Sequence, residues 1–323
     1  MRIPIFCAAA AAVVIALAGC SAEELVEPPP LPETAPAPHA ADRRFDVDYA
    51  PESAAQRLDL YVPAGTAPSP VVVYVHGGDW RGGDKGEVAG NGLDDLLEAG
   101  FAVASINYRL TDEARWPAAV QDAKAAVGWL RTNARQHHLD PERIAVVGSS
   151  SGGYLAAAVA LTGDRPSEFD PPQPTPGAPV STAVQAAVLW SAPVDFRSLD
   201  RQLEEAGCPP AVPPHGHPAS AASQWLGEQV GAGPRTLRAD LLAHVLQRPT
   251  ASFLFVHGTD DCVVPPAQAR SLHREIRRAG GTSTLALIEG MGHRGGTGRR
   301  VRETVAFLNE TVGRPAPAPH TTG

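Results

Sequence analysis

At 323 residues, 43% of them hydrophobic, the chain is long enough to bury one large core. A net charge of −8 without a basic stripe argues against nucleic acid as a partner. The 31 Gly and 32 Pro make it rich in turns, but much of the Pro sits in flanking segments and one internal region, so the core itself is ordinary.

The first residues read as an export signal. Arg2 supplies the positive end, and an apolar run from Ile5 to Leu17 follows. That run is too short to span a membrane comfortably. It ends in Leu17-Ala18-Gly19-Cys20, small residues before a Cys, which resembles the lipobox of bacterial lipoproteins. Cleavage after residue 19 would leave an acylated Cys20, and several acyl chains on it would give stable anchoring. The expected address is therefore the outer face of the cell membrane, or simple secretion if the lipobox is not used. Residues 20–42, with Glu27-Pro28-Pro29-Pro30, read as a Pro-rich tether. Residues 314–323 read as a disordered tail.

From Phe45 onward the pattern is regular. Residues 57–63 alternate like a strand with one exposed face. Val71 to Val75 is a continuous β-branched run, as expected of a strand buried on both faces. Leu93 to Glu98 reads as a short helix closed by Gly100, and 101–107 as the next strand. Pro117 opens a long helix with Val120, Ala123, Val127 and Leu130 on one face. The strand Ile144–Val147 runs straight into Gly148-Ser149-Ser150-Ser151-Gly152, followed by an Ala-rich helix to Leu161. Residues 184–190, 252–256 and 284–288 read as further strands, with a helix over 267–279. Strands alternating with helices predict a mostly parallel central sheet with helices on both faces. Two segments break the rhythm. Residues 195–248 are expected to be a small cap over the strand ends, and 164–180 a second Pro-rich loop at the substrate-selecting edge.

The G-x-S-x-G at 148–152 carries the chemistry. A strand before it and a helix after it place Ser150 on a tight turn, and Gly148 and Gly152 sit where a Cβ would collide with backbone. A serine hydroxyl needs a base, and the base needs an acceptor to hold it. Both follow in the chain. His257-Gly258-Thr259-Asp260-Asp261-Cys262-Val263-Val264-Pro265 comes after one strand, and Gly292-His293 after another. Asp261 and Asp260 compete as the acid; His293 is the base. His257 reads as structural. His215 and His217 lie in a Pro-rich loop and read as solvated, with no further ligands to complete a metal site. His76-Gly77-Gly78-Asp79-Trp80 follows the strand at 71–75, and its glycines let backbone N–H groups approach a substrate oxygen. The N–H groups of Gly78, Asp79 and Ser151 are the expected oxyanion hole. Trp80 reads either as part of the acyl or alcohol pocket or as a packing residue. Of the four Cys, Cys7 would leave with the signal and Cys20 would be lipidated. Cys208 and Cys262 are left in an oxidising compartment and are expected to form a disulfide.

These stretches, with 58–63, 106–110 and 116–122, resemble the α/β-hydrolase esterases that carry an HGGxW oxyanion motif. That group includes feruloyl and acetylxylan esterase-like proteins, hormone-sensitive-lipase-like carboxylesterases and kynurenine formamidases. The resemblance runs from about Asp46 to Leu308. In the related H-G-x-x-D-x-x-V-P loop the acid is the fifth position, so the resemblance, rather than spacing alone, favours Asp261 over Asp260. Asp79 departs from lipase-like relatives, which carry Gly there; only its backbone is needed, but its carboxylate would disfavour anionic acyl groups. The resemblance implies a serine carboxylesterase with an acyl-enzyme intermediate, no metal or organic cofactor, and a small-molecule or glycan ester as substrate. A peptidase or amidase on the same triad, and a binding protein that does no catalysis, are the alternatives.

Overall fold

The structure, a computed structural model, describes residues 40–65, 67–172, 180–245 and 249–313. The expected leader, Cys20, residues 20–39 of the tether and the tail from 314 lie outside these, as does 173–179 of the second Pro-rich loop.

One eight-stranded sheet runs in the order β1-β2-β4-β3-β5-β6-β7-β8. The strands are β1 Ala40–Asp48, β2 Arg57–Pro63, β3 Ser69–Val75, β4 Ala102–Ile106, β5 Leu139–Ser149, β6 Ala186–Trp190, β7 Ser252–Gly258 and β8 Ser283–Ile288. β1 and β2 pair antiparallel, as do β2 and β4; every pairing from β4 through β3 to β8 is parallel. The helices are α1 Leu93–Glu98, α2 Ala118–Thr132, α3 Ser151–Thr162, α4 Leu199–Glu205, α5 Ala221–Leu226, α6 Pro234–Arg238, α7 Ala267–Arg278 and α8 Thr297–Thr311.

The two-residue period of a strand divides the core. On β3, Val71, Val73 and Val75 join one cluster with α2, α3 and α7, while Val72 and Tyr74 join another with α1 and α8. On β5 and β7, Ile144, Val146, Phe253 and Phe255 face the first cluster; Ala145, Val147, Leu254 and Val256 face the second. All seven residues of β3 are buried, and each aliphatic side chain so enclosed contributes about 1.5–3 kcal/mol. α3 is buried on every side, which its run of Ala permits by letting neighbouring elements approach closely.

Three expectations need correction. β2 does not have an exposed face: six of its seven residues are buried. The cause is β1, which begins at Ala40, inside the segment read as tether, and covers that edge. Asp59 tolerates the burial because Lys85 Nζ lies 2.9 Å from its Oδ1, which also accepts from the Asp46 N–H. Secondly, the described part of the 164–180 loop lines neither cleft at Ser150. α3 starts at the carboxyl end of β5 and runs back along the sheet, so this loop lies at the opposite end from the one where parallel α/β sheets bind ligands. The 195–248 insertion instead leaves the carboxyl end of β6. Thirdly, His215 is not simply solvated: its Nδ1 lies 2.8 Å from Asp200 Oδ1, and the carboxylate also accepts from the His215 and Gly216 N–H groups. His217 is exposed as expected. Among the described residues no cluster could hold a metal ion, and no helix is long and apolar enough to cross a membrane.

Candidate active site

Ser150 sits between β5 and α3 with φ 54° and ψ −121°, a strained conformation for a residue with a Cβ. The surrounding glycines make the turn possible. A Cβ on Gly148 would come 2.2 Å from the Gly152 oxygen, and one on Gly152 would come 2.2 Å from the Val75 oxygen. The Ser150 N–H donates to the Trp190 oxygen at the end of β6 (2.8 Å), which fixes the turn to its neighbour strand.

His293, in the loop between β8 and α8, reaches this hydroxyl: its Nε2 is 3.0 Å from Ser150 Oγ. Its Nδ1 is 2.8 Å from Asp261 Oδ2. A carboxylate only accepts, so Nδ1 carries the proton and Nε2 presents a lone pair to the serine. Asp261, not Asp260, is therefore the acid in contact. Asp260 is exposed and accepts from the Thr259 hydroxyl (2.8 Å). Asp261 is buried, and its second oxygen accepts from the N–H groups of Val263 (3.0 Å) and Val264 (2.9 Å). Burial alone would push its carboxyl up; hydrogen bonds from His257, His293 and the Val264 N–H reverse this and hold it well below the ordinary carboxylate value.

His257, expected to be structural, has a more specific part. Nε2 lies 2.8 Å from the Val264 carbonyl oxygen, an acceptor, so Nε2 is the protonated nitrogen. The same N–H lies 3.3 Å from Asp261 Oδ2. His257 thus closes the acid loop on itself and adds a donor to the acid.

The segment His76–Trp80, the expected oxyanion hole, follows β3. Gly78, Asp79 and Trp80 take φ values of 111°, 56° and 58°, three successive left-handed residues that turn the chain back over Ser150. The turn is held from outside. The Trp80 oxygen accepts from both the N–H and the hydroxyl of Thr111 (each 2.8 Å), and the Gly78 oxygen from the N–H groups of Arg81 and Gly82. Tyr108 stacks on His76 (centroids 4.4 Å apart) and donates its hydroxyl to the His76 oxygen (3.0 Å). Burial lowers the pKa of His76, whose Nδ1–H is directed at the Gly77 oxygen (2.7 Å). Among the described residues, no acceptor meets the N–H groups of Gly78, Asp79 or Ser151. They are three donors left free beside a serine hydroxyl.

Trp80 is 3% exposed and its ring is mostly packing: it stacks on Trp225 of α5 at 4.2 Å and meets Tyr154 and Phe196 edge-on. Neither Trp225 nor Phe196 stood out in the sequence, because an aromatic residue in an irregular segment carries no period. Arg109 and Asp122, within the stretches 106–110 and 116–122, are a structural pair. Asp122 is fully buried, lies 2.6 Å from Arg109 Nη2 and accepts from Gln56.

Two clefts meet at Ser150. One, about 270 Å3, is walled by the 195–248 insertion through Phe196, Leu199, Val212, Pro213, His215 and Ala222, and by Trp80. The other, about 550 Å3, runs past Gly78 to His293, Arg294 and Arg300. A third cavity, between α2 and the 164–180 loop, holds Lys124 and Trp129 but no candidate nucleophile. Cys208 of the insertion and Cys262, next to Asp261, form a disulfide with Cα atoms 5.4 Å apart.

A model of the BD-FAE family matches residues 58–276 of this chain, from β2 into α7. "Esterase LipQ" of Mycobacterium tuberculosis is 28% identical over 260 residues, covering 79% of this chain and 58% of its own length. "Probable carboxylic ester hydrolase LipM" of the same organism is 30% identical over 242 residues, covering 72% and 51%. The chain thus spans little more than half the length of these curated relatives. A solved structure described as a truncated form of carbohydrate esterase from gut microbiota superposes with a TM-score of 0.70 at 26% identity, over 84% of this chain and 96% of that one. The parallel sheet, the turn that carries Ser150 and these matches agree: the chain has the α/β-hydrolase fold and belongs to the BD-FAE family.

Proposed function

We propose that the protein is a serine carboxylesterase acting through Ser150, His293 and Asp261. The observation that carries this reading is the relay of 3.0 Å and 2.8 Å from the serine hydroxyl through His293 to Asp261, beside three unspent N–H donors. The names of the relatives, esterases and a carboxylic ester hydrolase, support an ester over an amide. His293 Nε2 takes the Ser150 proton as Oγ attacks the ester carbonyl carbon. The carbonyl oxygen becomes an oxyanion, which the N–H groups of Gly78, Asp79 and Ser151 stabilise. As the tetrahedral intermediate collapses, the bond to the alcohol oxygen breaks and the imidazolium gives that oxygen its proton. Water, deprotonated by the same nitrogen, then attacks the acyl-enzyme, and the acid leaves as Ser150 regains its proton. Asp261 keeps its negative charge throughout and stabilises the imidazolium.

The reading includes export and a lipid anchor at Cys20. Its support is the lipobox-like Leu17-Ala18-Gly19-Cys20 and the Cys208–Cys262 disulfide, a bond that persists in oxidising compartments. A fluorophosphonate probe tests the catalytic assignment. Labelling of the native protein, with loss of both labelling and p-nitrophenyl acetate hydrolysis in Ser150→Ala, is expected. Labelling that survives Ser150→Ala overturns it.

A further inference from the structure

Two polar groups that line the cleft on the His293 side have buried atoms without a hydrogen-bond partner. Arg300, in the first turn of α8, is 5% exposed, and its Nε is buried with no hydrogen-bond acceptor. Among the described residues no carboxylate lies within ion-pair distance of its guanidinium. Tyr74, on β3, is 1% exposed, and its hydroxyl too is buried and unbonded. Both line the same cleft as Ser150, Gly78 and His293, which at about 550 Å3 has the size of a small-molecule site.

A cation removed from water without a counter-charge is strongly unfavourable. The Trp190 ring, 4.9 Å from the guanidinium carbon, offsets part of that cost, but a ring face does not use the planar fork of N–H donors. That fork matches a carboxylate. The carboxylates that line this cleft, Asp79 and Glu87, are exposed, and Glu87 Oε1 accepts from the Asp84 N–H. Arg294 in the same cleft is exposed as well. Charges in contact with water are weakened by it, whereas Arg300 acts where the dielectric is low.

The proposed mechanism says which part of an ester enters here. The departing alcohol oxygen takes its proton from His293 Nε2, so the alcohol portion lies on the His293 side and the acyl portion faces the insertion. We propose that this cleft selects esters whose alcohol portion carries a carboxylate, with the Arg300 guanidinium as its counter-ion and the Tyr74 hydroxyl as a second donor. This rests on the esterase reading and adds the class of alcohol. Asp79 lines the clefts on both sides of Ser150, but it is exposed to water, so on this side its charge is weaker than that of the buried Arg300.

The test compares kcat/KM for 4-acetoxybenzoate with that for its neutral isostere 4-acetoxybenzamide. The native protein is expected to prefer the carboxylate by about tenfold or more, the scale of a charge-assisted hydrogen bond. Arg300→Met is expected to bring the ratio close to one, and Tyr74→Phe to lower it part of the way. A ratio near one in the native protein, or one that Arg300→Met does not move, overturns the assignment. If Arg300→Met does not fold, product inhibition of the native protein decides: 4-hydroxybenzoate inhibiting tenfold more tightly than 4-hydroxybenzamide supports it, and equal inhibition overturns it. Hydrolysis of both acetates at equal rates overturns this assignment alone. Hydrolysis of neither overturns the esterase reading and this assignment with it.

Discussion

The floor of the cleft and the wall that the 195–248 insertion raises beside it are held by different means. In the floor, short backbone segments hold one another: the Ser150 turn bonds to the end of β6, the Trp80 carbonyl to Thr111, and the Asp261 carboxylate to amides two and three residues on. The insertion has little secondary structure of its own: α-helices of seven, six and five residues and a 3-10 helix of four among the described residues. It is fastened at a few distant points instead. Gln268 of α7, fully buried, accepts from the Val194 and Asp195 N–H groups and donates to Asp195, Ser198 and Gln202. Trp225 stacks on Trp80, Arg81 donates to Gln224 (2.8 Å), and the disulfide ties Cys208 to the acid loop. The candidate catalytic groups thus sit where geometry is locally enforced, and the wall of the insertion depends on long-range contacts. Substitutions in the floor should cost rate, and those at the fastenings should cost stability.

Asp261→Asn is the strongest floor test after loss of the nucleophile. The amide cannot hold His293 in the tautomer that leaves Nε2 free, so kcat should fall by about 10^4. Tm should change far less than that loss implies. A fall in kcat under tenfold, measured with p-nitrophenyl acetate, would place the acid elsewhere, with Asp260 the next candidate.

Trp225→Ala tests the insertion. The ring is fully buried between Trp80, Tyr154 and Phe196, and its removal should cost about 3–5 kcal/mol of stability. Chemical denaturation measures this directly. If the insertion were only a loose flap, the loss would be under about 1 kcal/mol, a surface-like effect.

The same division governs what the sequence makes legible. The serine turn, the His76–Trp80 segment and the Asp261 loop are contiguous, and each follows a strand, so spacing and small residues reveal them. Asp261 over Asp260 needed family likeness, since both lie in one loop and only contact separates them. β1 was missed because its residues 40–48 are mostly polar or charged, with no apolar alternation to mark a strand. Gln268 lies in an ordinary amphipathic helix and gains its meaning from residues about seventy positions earlier. Arg300 reads as one of several basic residues near the start of α8; only burial singles it out.

Reduction of the disulfide couples the two regions. Cross-linking positions 54 apart constrains the unfolded chain by about 4 kcal/mol at most, so mild reduction should lower Tm. Because Cys262 adjoins Asp261, a fall in kcat alongside the lower Tm would show that the insertion also steadies the acid. An unchanged kcat below the lowered Tm would show that the loop amides suffice.

The smallest effect belongs to His257, and it is visible only against pH. Its Nε2–H lies 2.8 Å from the Val264 oxygen and 3.3 Å from Asp261 Oδ2. The folded-state pKa of Asp261 is depressed below the unfolded value near 3.8, so the stability it contributes is present above that value and lost as pH falls through the folded one. Removing the His257 donor moves the folded value back toward 3.8 and shrinks that contribution. His257→Met, which keeps much of the volume and removes the donor, should therefore be less stable than the native protein above about pH 4, with a gap that narrows as the pH falls below it. Thermal melts across the acid range measure the gap. A difference in Tm that stays constant with pH would mean that His257 only fills space and bonds to Val264, leaving the acid to be held by His293 and the loop amides.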